Sequence, residues 1–233
     1  MLKAWSYSRL TIYEQCNFRA KLAYVDRIPE PPRALPPGKT EHANDRGTRV
    51  HEAAEIYVNS NIELIPELAA FSKEFLKLRE FYRKGKVSLE GDWAFDADWN
   101  PVSWTSENAW ARIKLDAFVR LNDRHGVVID HKTGRLRGNE FKHMEQGQVY
   151  QLAAFLRYPE LETIDVEFWY LDLDEITQVR YSRKQGLRFL ASYTDRGNKM
   201  LADTIFKPNP NVYSCRFCPY GPKGTQHCLV GAQ

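Results

Sequence analysis

Apolar and polar residues alternate one for one from Arg112 to Leu121. Ile113, Leu115, Ala117, Val119 and Leu121 share one parity and Arg112, Lys114, Asp116 and Arg120 the other, with Phe118 the only apolar interloper. A period of two predicts a half-buried strand. Asn122 to Gly126 is a run of turn residues, and Val127-Val128-Ile129 is a β-branched run that predicts a buried central strand. Ala111 to Lys132 therefore reads as one β-hairpin. Elsewhere the period is helical. Leu10, Tyr13, Phe18 and Leu22 recur behind Ser6 and Ser8, predicting an amphipathic helix that carries Cys16. Five prolines between Pro29 and Pro37 make a loop. Val50, Ala54, Tyr57 and Val58 mark a second helix, and LIPELAAFSKEFLKLREFYRKG a third, ended by Gly85.

VSLEGDWAFDADW alternates again and predicts a strand bearing Glu90. A helix follows the hairpin from about Glu140 to Arg157, with Val149, Leu152, Phe155 and Leu156 as its stripe; IDVEFWYLDLDEITQVRYS predicts two strands around the turn Asp172 to Glu175. A last helix is predicted from Lys184 to Thr204. These elements predict an α/β fold, a central mixed sheet of about five strands with helices on both faces. They divide one domain, 1–233, into an N-terminal helical segment (1–85), a core of about 86–182 and a C-terminal helix and cysteine segment (183–233).

The hairpin places chemistry at one point. Asp130 and Lys132 are two apart on a strand and leave the same face, and pairing brings Asp116 of the first strand beside them. Two carboxylates suit Mg²⁺ or Mn²⁺, hard ions with oxygen ligands. A metal-bound water becomes a nucleophile, and a nearby Lys offsets charge on a phosphorane-like transition state. A D-x-K tripeptide alone is also an ordinary solvated ion pair worth little. His51, beside the stripe of its helix, reads equally as a hydrogen-bonded helix residue. Gln146 and Tyr150, four apart, stack on the flank of theirs, where they serve as a surface Gln and core-edge Tyr or reach a neighbouring site.

Composition narrows the field. Of 233 residues, 43% are hydrophobic and 27% charged, the balance of a soluble globular chain. No apolar run reaches the ~18 residues of a membrane span, and the N-terminus lacks a signal-peptide hydrophobic region, so a cytoplasmic protein is expected. The absence of a G-x-x-x-x-G-K pattern excludes a P-loop motor. Net charge is +3, but eight Lys/Arg stand against four Asp/Glu between Arg112 and Lys142. The surplus surrounds the candidate site, where Arg135, Arg137 and Lys142 are candidate contacts to a phosphate backbone.

Cys16 stands alone; Cys215, Cys218 and Cys228 gather near the other end. Cytosolic chains rarely keep structural disulfides, so metal binding is favoured. Four thiolates hold either a 4Fe-4S cluster or Zn²⁺, and His227 keeps zinc open.

Taken together these motifs resemble the RecB/AddB-type branch of the PD-(D/E)XK nuclease superfamily, with its CRISPR-associated and phage iron-sulfur exonucleases. SYSRLTIYEQCNF is similar to that branch's N-terminal Ser/Cys helix, GTRVHEAAE to its Gly-x-x-x-His helix, and IKLDAF and VVIDHKTG to its metal-binding strands. QGQVY is similar to its Gln-x-x-x-Tyr helix, and CRFCPY with Cys228 to its cluster-binding C-terminus. Asn17 after the first Cys, His131 in place of an aromatic and the long spacing to Cys228 depart from the pattern. The resemblance implies a restriction-endonuclease-like core with an iron-sulfur staple joining the N- and C-termini. It also implies a metal-dependent DNA exonuclease working on single strands or duplex ends in recombination, repair or phage DNA processing, with a helicase or recombination protein as candidate partner. His51, Asp116, Asp130 and the carbonyl of His131 would hold the metal and Lys132 would stabilise the transition state. Gln146 and Tyr150 would orient water or DNA, Glu90 would add an acidic contact, and Cys16, Cys215, Cys218 and Cys228 would hold the cluster. A catalytically silent DNA-binding or scaffolding subunit and a site-specific endonuclease are the rival readings.

Overall fold

In the computed structural model, which describes residues 2–60, 62–134 and 136–230, the predicted hairpin is the middle of a six-stranded sheet. In chain order the elements are α1 (Tyr7–Gln15), α2 (Asn17–Ala20) with a π-turn at Lys21–Val25, α3 (Ala43–Asn59), and α4 (Ser72–Arg83), which follows a 3-10 turn at Pro66–Phe71. Then come β1 (Val87–Phe95), β2 (Pro101–Val102), β3 (Ala111–Arg120), β4 (His125–Lys132), α5 (Glu140–Arg157), β5 (Thr163–Tyr170), β6 (Glu175–Ser182), α6 (Arg183–Gly186), α7 (Leu190–Ala202) and α8 (Val212–Arg216). Strand order is β2-β1-β3-β4-β5-β6. Every pairing is antiparallel except β4 with β5, which α5 joins as a crossover. Among the described residues no helix is long and apolar enough to cross a membrane.

Two apolar cores flank this sheet. One gathers Leu10 and Tyr13 of α1, Leu152 and Phe155 of α5 and Tyr193 and Met200 of α7 over β1, β3 and β5. The other gathers Val50, Ala54 and Val58 of α3 with Phe71, Phe75 and Leu78 against Ala117, Val119, Val127 and Ile129. The α3 stripe is the predicted one, and α5 has the predicted bounds.

Four features differ from the sequence expectation. The sixth strand is β2, two residues too short to show a period. The first helix is not continuous: it stops at Cys16, whose backbone is extended (φ −163°, ψ 110°), and restarts at Asn17. Asp203 spans that break, accepting from Tyr13 Oη at 2.8 Å and Asn17 Nδ2 at 2.9 Å. The last helix is divided. Ser182 and Gln185 cap a short α6, a 3-10 turn follows at Leu187–Phe189, and α7 ends at Ala202. In β3, finally, Ile113 and Leu115 face the α5 core whereas Ala117 and Val119 face the α3 core, so the alternation changes sides at Asp116. Across from it stands Glu90, with a left-handed φ of +43°.

The chain's two ends are drawn onto this frame. Trp5 bridges in parallel to Ala111, donating its amide to Trp110 O and accepting from Arg112 N, both at 2.9 Å. Its buried indole meets Trp99, Trp110 and Tyr193 at 5.5–6.2 Å. A two-pronged ion pair between Arg196 and Glu14 (2.7 Å each) ties α7 to α1.

Candidate active site

The β3–β4 ladder runs only from Ala117–Ile129 to Arg120–Gly126, although both strands continue beyond Ala117 and Ile129. They part at the next facing pair, Asp116 and Asp130. An amide released from a ladder and buried needs another acceptor. Asp116 supplies it, taking the backbone N–H of His131 on Oδ2 at 2.7 Å. The notch between the strands is the site.

The other groups come from the helices on either side. His51 reaches in from α3 and donates from Nδ1 to Asp116 Oδ1 at 3.0 Å. One turn earlier, Gly47 lets that helix lie close: a Cβ there would sit 3.2 Å from Thr133 Oγ1, and the neighbouring Arg46 pairs with both oxygens of Asp172 (2.7 and 2.9 Å). From α5, Tyr150 Oη donates to Asp130 Oδ1 at 3.0 Å, and Gln146 Nε2 donates to Tyr150 Oη while its Oε1 accepts from Lys132 Nζ at 2.8 Å. Lys132 Nζ also stands 2.5 Å from Asp130 Oδ2 as a buried ion pair.

His131 points to the opposite face from Asp130 and Lys132, as the strand period requires. Its imidazole is buried against Phe75 and Trp169 (5.2 and 5.5 Å), and neither ring nitrogen has a hydrogen-bond partner among the described residues. One side-chain ligand atom each from His51, Asp116 and the His131 imidazole lie within 4.8 Å of one another. Buried polar atoms without partners beside a carboxylate and two imidazoles are a donor set that fits a divalent ion.

Burial and charge set the protonation. Burial works to raise the Asp116 carboxyl, but the hydrogen bond from His51 and the imidazole and amide of His131 outweigh it and hold Asp116 below the usual range. Asp130 goes the other way: burial raises it, Lys132 pulls back, and the Asp116 charge adds to the rise. The His51 imidazole is pushed down by burial yet ends above its ordinary value through Asp116 and Asp130, whereas burial takes His131 down to about 4. Tyr150, buried beside Asp130, is held firmly protonated.

Other expected residues lie outside this cluster. Glu90 pairs with Lys114 (2.5 Å), not with the notch. Lys142 is exposed and lines the groove that leads from His51 and Lys132 past Tyr7 to Arg19. Arg137 is exposed, and Arg135 lies outside the described residues. Cys16, Cys215, Cys218 and Cys228 all line one pocket. Two groove residues escaped the sequence reading. Tyr7 donates its hydroxyl to Lys142 O at 2.7 Å, 135 positions away, and His143 meets Tyr170 Oη at 2.8 Å. No local period marks either.

No curated protein matches the chain. Among solved structures it is similar to the crystal structure of SSO0001 (TM-score 0.45, 13% identity, 100% of this chain and 89% of that one). It is also similar to LHK-Exo, an alkaline exonuclease from Laribacter hongkongensis. The crystal structure of that protein in complex with dAMP aligns with TM-score 0.39 and 16% identity, and another with 0.35 and 14%; each covers 86% of this chain and 87% of that one. The family profile described as the PD-(D/E)XK nuclease superfamily matches residues 4–222, nearly the full length and the whole of the notch, and the chain therefore belongs to that superfamily.

Proposed function

We propose that this chain is a metal-dependent DNA nuclease of the RecB/AddB-type branch, acting as one domain on single strands or duplex ends. The observation that carries the reading is the meeting, at the β3–β4 notch, of two bonded groups drawn from four elements: His51 with Asp116, and Asp130 with Lys132, Gln146 and Tyr150, the first tied to β4 by the His131 amide. His51, Asp116, Asp130 and His131 would hold Mg²⁺ or Mn²⁺. Bound there, the ion supplies a more acidic water and offsets phosphate charge. Lys132, steadied by Gln146, presents its ammonium to the negative charge that grows on the phosphate oxygens as the P–O bond to the leaving group breaks. Tyr150, held protonated, donates to Asp130 and fixes that carboxylate. Lys142, with Arg135 and Arg137, would meet the strand's backbone.

The four-cysteine pocket supports the iron-sulfur staple as the finer element of this reading. Four thiolates around one zinc at ~2.3 Å would lie roughly 4 Å apart. Among the described residues no three of these sulfurs come within 4.8 Å of one another.

Purified protein with Mn²⁺ should degrade end-labelled linear DNA and spare a closed circle. Asp116→Asn or Lys132→Met should cut turnover by about 10²-fold or more, with DNA binding retained. Equal cleavage by a folded Asp116→Asn variant would remove the assignment.

A further inference from the structure

Beside the notch, and sharing Gln146 and Tyr150 with it, lies a second hollow of about 300 Å³ walled by Trp104, Arg112, Lys114 and the start of α1 at Ser6 and Ser8. That size is at the lower end of the roughly 300–1,000 Å³ of small-ligand sites, room for one nucleotide and not for a duplex. Among the described residues no carboxylate lines it. Its chemistry is mixed. The Arg112 guanidinium lies over one face of the Trp104 ring, 5.5 Å from its centre, a cation–π pair whose other ring face is left for a ligand. The Arg112 Nε is buried and has no hydrogen-bond partner among the described residues, and Lys114, paired with Glu90 on one side, stays largely exposed. Ser6 Oγ and Ser8 Oγ stand 3.2 Å apart at the N-terminal end of α1, where partial positive charge gathers. Trp104 itself is set by short backbone turns in the β2–β3 loop, Ser106 N to Ser103 O at 3.0 Å and Ala109 N to Ser106 O at 3.1 Å.

Aromatic faces beside cations and hydroxyls are what an unpaired nucleotide uses: its base stacks, and its phosphate takes the charge. We propose that this hollow seats the unpaired nucleotide next to the scissile phosphate of a DNA strand, its base against the Trp104–Arg112 pair and its outer phosphate at Ser6, Ser8 and Lys114. The proposal rests on the nuclease reading above and adds the residues that select a frayed or single-stranded end. A base held in a duplex cannot present its face to Trp104. Tyr7, Ser8 and Gln146 line both this hollow and the groove toward Arg19, so the strand continues from one to the other past the start of α1.

The test measures binding of a fluorescent oligothymidylate in Ca²⁺ for the parent, Trp104→Ala and Trp104→Phe. It is paired with photo-crosslinking of a strand carrying 5-bromodeoxyuridine next to the cleavage site. Trp104→Ala should weaken binding about tenfold, within the range of a lost base–aromatic stack, and Trp104→Phe should restore most of it. Mn²⁺ affinity should be unchanged, KM should rise more than kcat falls, and the crosslink should map to Trp104. Unchanged strand affinity in a folded Trp104→Ala variant, or a crosslink that maps only elsewhere, overturns the subsite while cleavage by the parent keeps the nuclease reading. Trp104-dependent binding by a parent that cleaves nothing supports the subsite and sinks the nuclease reading. Should Trp104→Ala fail to fold, Trp104→Phe and the crosslink still decide: a crosslink at Trp104 supports the proposal, and its absence there overturns it.

Discussion

Asp116 and Asp130 are neighbours with opposite tendencies, one held ionised by His51 and one pushed toward its protonated form by burial. The difference comes from what each oxygen touches; strand pairing pointed only to their nearness. His51, Gln146 and Tyr150 were singled out by helix position and by motif resemblance, but their partners were not legible, because what they touch depends on where α3 and α5 settle. Tyr7 and His143 were not legible at all: their partners are fixed by tertiary packing. His143 gives a test at this scale. Burial, then the charges of Lys132 and Lys142, take its imidazole down to about 4. The unfolded chain binds that proton near pH 6.5, so the folded state loses stability as pH falls from about 6.5 toward 4, by about 1–2 kcal/mol once solvent screening is allowed for. In urea titrations with chelator, His143→Gln should lose less stability between pH 7 and pH 4.5 than the parent; equal losses would mean that His143 contributes nothing.

Gly197 shows what the elements demand of each other. On α7 it faces the buried rings of the N-terminal segment, and a Cβ there would lie 2.6 Å from Trp5 Nε1 and 2.8 Å from Trp110. Rigid indoles cannot yield as a flexible chain end does, so Gly197→Ala should cost about 1–3 kcal/mol. That corresponds to a thermal midpoint lower by several degrees for a chain of this size, at about 2–4 °C per kcal/mol. Gly134, with nothing within 4 Å of the same added carbon, is the control, and its alanine variant should melt like the parent. A Gly197→Ala midpoint equal to that control would refute the packing argument. The periods of β1, β3 and α5 were visible because one face of each is buried along much of its length. The change of sides at Asp116 was not, since the same alternating pattern fits a strand that keeps one core and a strand that passes from one core to another. Nor was the break at Cys16, where Asp203, 187 positions away, offers the hydrogen bonds that an unbroken helix would forgo.

Across the whole molecule the four thiols bring together positions 16 and 215–228, nearly the full length of the chain. A group bound by all four removes the freedom of the unfolded ends to separate. On the proposed staple, Cys16→Ser should lower bound iron and the thermal midpoint as severely as Cys215→Ser, measured anaerobically by metal analysis and melting. Full iron content in Cys16→Ser would sink the staple. Cysteine count and motif order led to the expectation that Cys16 meets the C-terminal cysteines, and the four do line one pocket; what puts them there, α1 lying against α7, was not legible. The α1 helix also acts as a ruler. Its first turn walls the Trp104 hollow, and Cys16 caps its other end. One residue inserted between Ser8 and Cys16 would advance the thiol by about 1.5 Å and swing it by roughly 100° about the axis, away from its three companions. Insertions among the prolines at 29–37, an exposed loop, shift neither end. Length is thus free to drift in the proline segment and fixed in α1.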